Sequence, residues 1–226
     1  MADSETLLLN AHEVRVLGSM IEKEITTPEY YPIRLSALTA ACNQTSNREP
    51  VMDLEEYEVM QALDGLRDKR LANLFKGADS RVPKFAHRFA ETDVDLGRPE
   101  IALLCNLMLR GPQTLGELRT RSARMYEFES LEEVEKILEH LANRPENKLV
   151  IKLPRQTGFK EQRYMHLLSG APVITESVTE IKTEATLKPL RVEPEQITKL
   201  EAEIVALKSE LEQLKTQFAD FRKQLE

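Results

Sequence analysis

Apolar residues repeat at helical spacing near residue 14 and again near residue 101, so the chain carries two similar amphipathic helices. The first stripe comprises Val14, Leu17 and Ile21, and the second comprises Ile101, Leu104 and Met108. Asn10 predicts an N-cap for the first helix, because Glu13 follows three residues later as in a capping box. Pro99 suits the first turn of the second helix. The chain therefore predicts an internal repeat.

Each of these helices is followed by a short helix and then a longer one. The short helices are predicted at 35–43 and 114–122, and Thr114 caps the second of them. The longer helices share the letters LEE, and their predicted N-caps are Asp53 and Ser130. In both, a glutamate lies three residues after the cap, at Glu56 and Glu133.

Both repeats close with alternating apolar residues around a turn, which predicts a β-hairpin in each. Three helices and a hairpin are the order of a winged helix–turn–helix domain. The predicted fold is mostly α with small β-hairpin wings (α+β), in two tandem winged-helix domains plus a C-terminal coiled-coil helix. The boundaries are residues 1–93 and 94–170 for the domains, 171–193 for a linker and 194–226 for the helix.

Three segments carry a resemblance to a known family: NAHEVRVLGSMIEKE, YYPIRLSALTAACNQTSNREPVM and ALDGLRDKRLA. They are similar to the motifs of the YceH-like family of bacterial proteins, over about residues 5–170. The resemblance implies a tandem winged-helix fold. It implies no activity, so the function has to be argued from the residues.

The last 33 residues, 194–226, have apolar residues spaced alternately three and four apart, as in a coiled coil. This heptad seam comprises Ile197, Leu200, Ile204, Leu207, Leu211, Leu214, Phe218, Phe221 and Leu225. Charged residues at the flanking positions are arranged to pair across a parallel dimer. The seam predicts a homodimer, and the alternative is a helix that folds back on the protein's own body.

The residue content gives no support for an enzyme or a metal site. The four histidines lie apart from each other and from Cys42 and Cys105, with no metal-ligand spacing. The chain has no glycine-rich phosphate loop and no nucleophile motif. We expect no cofactor, no metal and no catalysis. The chain has no signal-peptide pattern and no long apolar run, which predicts a cytoplasmic protein without a membrane span.

Both predicted hairpins are basic, although the net charge of the chain is −7. Residues 67–88 contain seven Lys or Arg and two Asp, and residues 144–163 contain six Lys or Arg and two Glu. Exposed strands also use such residues against edge pairing. As nucleic-acid contacts the hairpins predict Arg70, Lys76, Arg81, Lys84, Arg88, Lys152, Arg155, Lys160 and Arg163.

The connection NQTSNREPVMDLEE, at 43–56, has two interpretations of equal weight. It is either a recognition loop for DNA or a partner, or a self-bonded loop that sets the angle between helices. As a recognition loop it would use Asn43, Gln44, Ser46, Asn47 and Arg48.

The long helices of both repeats are acidic at their N-terminal turns, which opposes insertion into a DNA groove. Two hypotheses follow from these charges. The protein is a dimeric DNA-associated regulator whose basic hairpins contact phosphates, or it is a protein-interaction scaffold whose acidic helices bind a basic partner. We favour the first, because it is the commoner use of the fold.

Overall fold

The protein is described by a computed structural model, which covers residues 8–75, 82–89, 96–145, 147–155 and 161–171. The predicted linker at 171–193, apart from its first residue, and the coiled-coil helix at 194–226 lie outside these residues. So does the predicted domain boundary near residue 93. The division into domains, the linker and the dimer seam therefore stay predictions.

The first half of the chain contains three helices and a small sheet. The helices are α1 (Ala11–Thr26), α2 (Leu35–Cys42) and α3 (Glu56–Asp68), with a 3-10 turn at Pro28–Tyr30. The strands are β1 (Ile33–Arg34), β2 (Ala72–Phe75) and β3 (Lys84–His87). They form an antiparallel sheet in the order β1-β3-β2. The sequence predicted the hairpin of β2 and β3 but not β1, which has only two residues.

The second half repeats the order of three helices followed by two strands. Its helices are α4 (Arg98–Arg110), α5 (Leu115–Ser122) and α6 (Leu131–Ala142), and its strands are β4 (Val150–Lys152) and β5 (Tyr164–His166). β4 and β5 pair antiparallel, and the backbone of Gln113 pairs with that of Tyr164. The fold in the described residues is therefore mixed α and β, with helices predominating over two small antiparallel sheets.

Three of the six α-helices in the described residues begin at a side-chain cap that the sequence predicts. Asn10, Thr114 and Ser130 cap α1, α5 and α6 as predicted, because each side chain accepts a hydrogen bond from the backbone three residues on. The prediction that Asp53 caps α3 was wrong. The N-cap is Glu55, whose backbone N–H donates to the Glu58 carboxylate at 2.8 Å, and Asp53 lies three residues before the first helical residue.

One continuous core joins the two halves, with α1 packed directly against α4. Gly18 of α1 allows this approach, because a Cβ atom there would lie 3.0 Å from Leu109 Cδ2 and 3.2 Å from Met108 Cβ. The thiol of Cys105 donates to the Gly18 carbonyl oxygen at 3.3 Å. All described residues consequently belong to one compact unit.

Candidate nucleic-acid interface

Three side chains form a row across the sheet of the first half. Lys84 on the central strand β3 lies opposite Arg34 of β1 on one side and opposite Phe75 of β2 on the other. Residues directly opposite in an antiparallel sheet point to the same face. Adjacent strands are about 4.8 Å apart, so the row is about 10 Å long. We call Arg34, Lys84 and Phe75 the sheet row.

The sheet row faces solvent, and the neighbouring row faces the core. Ile33 and Phe85 are 5% and 1% exposed, and Leu74 packs against the core beside them. Arg34 is exposed, Lys84 is half-buried and Phe75 is 48% exposed. The alternation of faces along each strand thus places two cations and one aromatic ring on an open surface.

The two cations of the sheet row have no carboxylate partner among the described residues. Every ion pair seen in this part of the chain involves other side chains. The same is true of Arg70, which is exposed at the start of the hairpin with φ of 59°. The first hairpin therefore presents positive charge that no residue in the described part of the protein neutralises.

The sheet that carries the row is fixed to α1. His87 of β3 lies with Nε2 2.8 Å from a carboxylate oxygen of Glu24, and its backbone N–H donates to the Tyr31 hydroxyl at 2.6 Å. The hydrogen bond from His87 lowers the pKa of Glu24. Burial raises the pKa of Tyr31. These contacts hold β3, and with it Lys84, against the helical body.

The second hairpin differs, because its central cations are paired. Lys152 lies 3.5 Å from a Glu135 oxygen and 5.4 Å from the centre of the Tyr164 ring. Arg163 lies 3.0 Å from Glu117 and donates to the Pro112 carbonyl oxygen at 2.8 Å. A cation that already has a carboxylate partner attracts phosphate less, because the carboxylate repels it. The two predicted hairpin sites are thus unequal.

The loop at 43–50 is bonded to the protein itself at three of its five predicted recognition residues. The guanidinium of Arg48 is fully buried, donates to the Ala41 carbonyl oxygen at 2.8 and 3.0 Å, and pairs with Glu22 at 2.6 Å. Asn43 exchanges two hydrogen bonds with the backbone of Leu54, at 2.8 and 2.9 Å. Arg48 is therefore not presented to solvent, and the self-bonded interpretation accounts for these side chains.

This loop also contacts the second half. The Asn47 side chain accepts a hydrogen bond from Arg110, and the Glu49 backbone N–H donates to the Leu109 carbonyl oxygen at 2.8 Å. Burial lowers the pKa of Arg110, and the nearby Arg121 lowers it further. The loop thus follows α2 of the first half and is hydrogen-bonded to α4 of the second half. Of its predicted recognition residues, Ser46 is exposed and Gln44 is half-buried.

Arg15 lies beneath this loop and supports it. It is 2% exposed, and it donates to the carbonyl oxygens of Cys42 at 3.0 Å and Pro50 at 2.5 Å. Burial lowers its pKa, and the positive charge of Arg48 lowers it further. Two buried guanidinium groups therefore hold both ends of the loop through backbone carbonyls.

The exposed surface at the start of α3 is acidic and partly apolar. Glu55 and Glu56 are exposed there, while Tyr57 is 59% exposed and Val51, just before the helix, is 55% exposed. The Glu58 carboxylate accepts a hydrogen bond from the Glu55 backbone N–H at 2.8 Å, so part of the charge serves the helix start. This surface repels phosphate and is unsuited to a DNA groove.

The remaining predicted contacts divide between described and undescribed residues. Arg88 directly follows β3 and is half-buried, and Arg155 lies three residues after β4 and is exposed. Lys76, Arg81 and Lys160 lie outside the described residues. Sequence reasoning missed Arg34, because its position beside Lys84 depends on a strand pairing between residues fifty positions apart. The only local signal was the apolar–polar step of Ile33 and Arg34 before α2.

The two cysteines are free and buried, and burial raises the pKa of both thiols. Within the described ranges, no three His, Cys, Asp or Glu side chains are grouped closely enough to hold a metal ion. In the same ranges, every helix is too short or too polar to span a membrane. The expected absence of a metal, a cofactor and catalysis stays a prediction.

Similar proteins come from several bacteria. A chain of Opitutus terrae called "UPF0502 protein" is 56% identical over 169 residues, which is 75% of this chain and 73% of that one. A UPF0502 protein of Vibrio campbellii is 48% identical over 199 residues, covering 87% and 89% of the two chains. UPF0502 protein GSU0233 of Geobacter sulfurreducens is 49% identical over 221 residues, covering 97% and 99%.

Residues 9–159 match the family model described as "Protein of unknown function, DUF480". This match covers more than half of the chain and includes the first hairpin, the loop at 43–50 and strand β4, and it ends before β5. The YceH-like resemblance read from the sequence motifs is consistent with it. The chain belongs to the DUF480 family of bacterial proteins, whose members carry the name UPF0502.

Proposed function

We propose that this protein is a non-enzymatic, dimeric tandem winged-helix protein that binds DNA through the sheet of its first half and acts in DNA-associated regulation. The observation that carries the proposal is the sheet row, where Arg34 and Lys84 stand side by side without carboxylate partners. Two adjacent cations on an open face attract successive phosphates of a nucleic-acid backbone.

The acidic surface of α3 limits how DNA can be bound. Each carboxylate near a phosphate is repulsive, so α3 does not enter the major groove in this proposal. The hairpin of β2 and β3 contacts the backbone instead, as wings of winged-helix proteins do. Contacts to phosphates position a protein on DNA but carry no sequence information. We therefore expect weak sequence preference from one chain.

The proposal includes a homodimer through the heptad seam at 194–226, which supplies affinity that one hairpin lacks. Linking two binding surfaces turns the second contact into an intramolecular one, which raises the overall affinity without any new contact. Sedimentation of the full chain and of a chain with Leu207 and Leu211 replaced by Glu tests this step. We expect a dimer for the first and a monomer with weaker DNA binding for the second.

The test of DNA binding is a fluorescence anisotropy titration of a labelled mixed-sequence duplex at low salt. The double variant Arg34→Gln, Lys84→Gln is expected to lower the affinity about tenfold or more, because it removes two phosphate contacts. The matched control is Lys152→Gln, Arg163→Gln, which removes two paired cations of the second hairpin. Equal affinity for all three proteins contradicts the proposal, and so does an absence of binding at low salt.

A second candidate function is a protein-interaction scaffold that uses the acidic helices. The observation in its favour is the exposed Tyr57 beside Glu55 and Glu56 at the start of α3. Its partner would be a basic protein segment, whose cations complement these carboxylates. Cross-linking in cells compares the wild type with Tyr57→Ser, Glu56→Lys. Loss of a specific cross-linked partner, with DNA binding unchanged, would favour this function.

A further inference from the structure

Phe75 ends the sheet row, and its ring is on the face of the sheet that points away from the core. The strand before it buries Ala72 and packs Leu74 on the core, whereas Phe75 points to the other face and is 48% exposed. Exposing an aromatic ring costs free energy relative to burying it. Phe75 lies directly across from Lys84, so its ring continues a row that begins with two cations without carboxylate partners, Arg34 and Lys84.

We propose that the sheet row binds single-stranded nucleic acid, with the backbone phosphates on Arg34 and Lys84 and an unpaired base stacked on Phe75. This inference rests on the proposed function and specifies its ligand. Proteins that bind single strands combine a basic surface with aromatic rings that stack on bases, and they do so without reading sequence. The sheet row has both features within about 10 Å.

A duplex can contact only part of the sheet row. Its bases are stacked on each other and paired, so its phosphates can contact Arg34 and Lys84 while Phe75 contacts no base face. A single strand can contact all three side chains, with phosphates on Arg34 and Lys84 and a base on Phe75. The acidic start of α3 agrees with this preference, because a single strand lying on the sheet does not require a helix in a groove.

The experiment compares a mixed-sequence single strand containing 2-aminopurine with its own duplex, using the full-length protein. We expect tighter binding to the single strand and quenching of the 2-aminopurine fluorescence by the stacked ring. Phe75→Ser should weaken single-strand binding by about tenfold, from the usual contribution of one stacked base, and should abolish the quenching. Its effect on the duplex should be within about twofold.

Two further variants make the result specific. Phe75→Tyr keeps an aromatic face and should retain the binding and the quenching. Tyr30→Ser removes another exposed ring, 74% exposed and outside the sheet row, and should change neither. Circular dichroism of each variant shows whether it is folded. If Phe75→Ser is unfolded, Phe75→Leu replaces it, because leucine keeps the apolar bulk without an aromatic face and should lose the quenching.

The outcomes separate this inference from the proposed function. If Arg34→Gln, Lys84→Gln weakens binding to both ligands while Phe75→Ser affects them equally or not at all, the single-strand inference is overturned and DNA binding stands. If the Arg34 and Lys84 variant binds both ligands as the wild type does, both ideas fail. Preference for the single strand that depends on Phe75 supports both.

Discussion

Arg48 donates a hydrogen bond from its guanidinium to the carboxylate of Glu22 at 2.6 Å, inside the protein and away from solvent. This contact ties the loop at 43–50 to α1. The same guanidinium also donates to the Ala41 carbonyl oxygen, so one side chain fixes the end of α2, the loop and α1 together. The polar loop therefore serves as a structural joint at this residue.

Replacing Arg48 with Ala should destabilise the protein by about 3 kcal/mol, because the buried Glu22 carboxylate would lose its hydrogen-bonded partner and keep only Lys23, 3.9 Å away. Arg48→Lys should also destabilise it, since an ammonium group cannot make the same planar set of bonds. Urea unfolding followed by circular dichroism measures both changes. The control is Ser46→Ala in the same loop, which is exposed and should change stability by less than about 0.5 kcal/mol. A similar small change for Arg48→Ala would contradict the role of Arg48 as a joint.

Gly65 of α3 leaves space for the Glu13 carboxylate, which caps α1 through Asn10 and pairs with Lys69. A Cβ atom at Gly65 would lie 2.3 Å from Glu13 Oε1, so Gly65→Ala displaces a buried, bonded carboxylate. We expect it to destabilise the protein, although Ala favours a helix interior over Gly by about 1 kcal/mol.

A double-mutant cycle with Glu13→Ala identifies the cause. In the Glu13→Ala background the steric conflict is gone, and Gly65→Ala should become neutral or stabilising by up to about 1 kcal/mol. Chemical denaturation of the four proteins provides the coupling free energy. If Gly65→Ala destabilises both backgrounds equally, its effect does not pass through Glu13.

His166 makes stability depend on pH. Burial lowers its pKa from 6.5 to about 4, so the folded protein holds this imidazole neutral. The free energy of unfolding is not reduced by this group well above pH 6.5. It decreases as the pH falls towards 4, because the imidazole takes up a proton in the unfolded chain at a higher pH than in the folded protein. At pH 5 the expected loss is about 2 kcal/mol.

The pH dependence is measured by urea unfolding at several pH values between about 7 and 5 for the wild type and His166→Leu. The difference between the two proteins isolates His166 from other titrating groups. We expect a shallower pH dependence for the variant. Parallel curves would show that His166 is protonated as readily in the folded protein as in the unfolded chain.

The continuous core predicts that the two halves unfold together. Cys42 lies in the first half and Cys105 in the second, and both thiols are buried. Single-thiol variants, Cys42→Ala and Cys105→Ala, allow each half to be followed by thiol labelling in increasing urea. We expect the same midpoint from both thiols. Two separated transitions would mean that the contact of α1 with α4 does not make the halves cooperative.

Local signals in the sequence predicted much of the helical part of the fold. Side chains such as Asn10, Thr114 and Ser130 act on backbone atoms three residues away, so their effect is visible in a short stretch. Asp53 misled because Glu55 and Glu58 offer an equivalent cap two residues later. The order of helices and hairpins followed from hydrophobic spacing together with the cap and turn residues between the elements.

The candidate site was less accessible from the sequence, because it depends on distant pairings. Arg34 acquires its place only when β1 pairs with β3, and that strand is too short for a periodic signal. The burial of Arg48 depends on Glu22 and Ala41, and a run of polar residues has the same letters whether it faces water or bonds to the protein. The difference between the two hairpins depends on Glu117 and Glu135, which lie on other elements.

The most direct test of the central claim is the salt dependence of duplex binding by the wild type and by Arg34→Gln, Lys84→Gln. The slope of log affinity against log salt changes by about 0.9 for each phosphate contact that is removed. We predict that the double variant has a slope smaller in magnitude by about 1.8, while Lys152→Gln, Arg163→Gln leaves the slope nearly unchanged. Identical slopes for the wild type and the Arg34 and Lys84 variant would contradict the claim that the sheet row binds nucleic-acid phosphates.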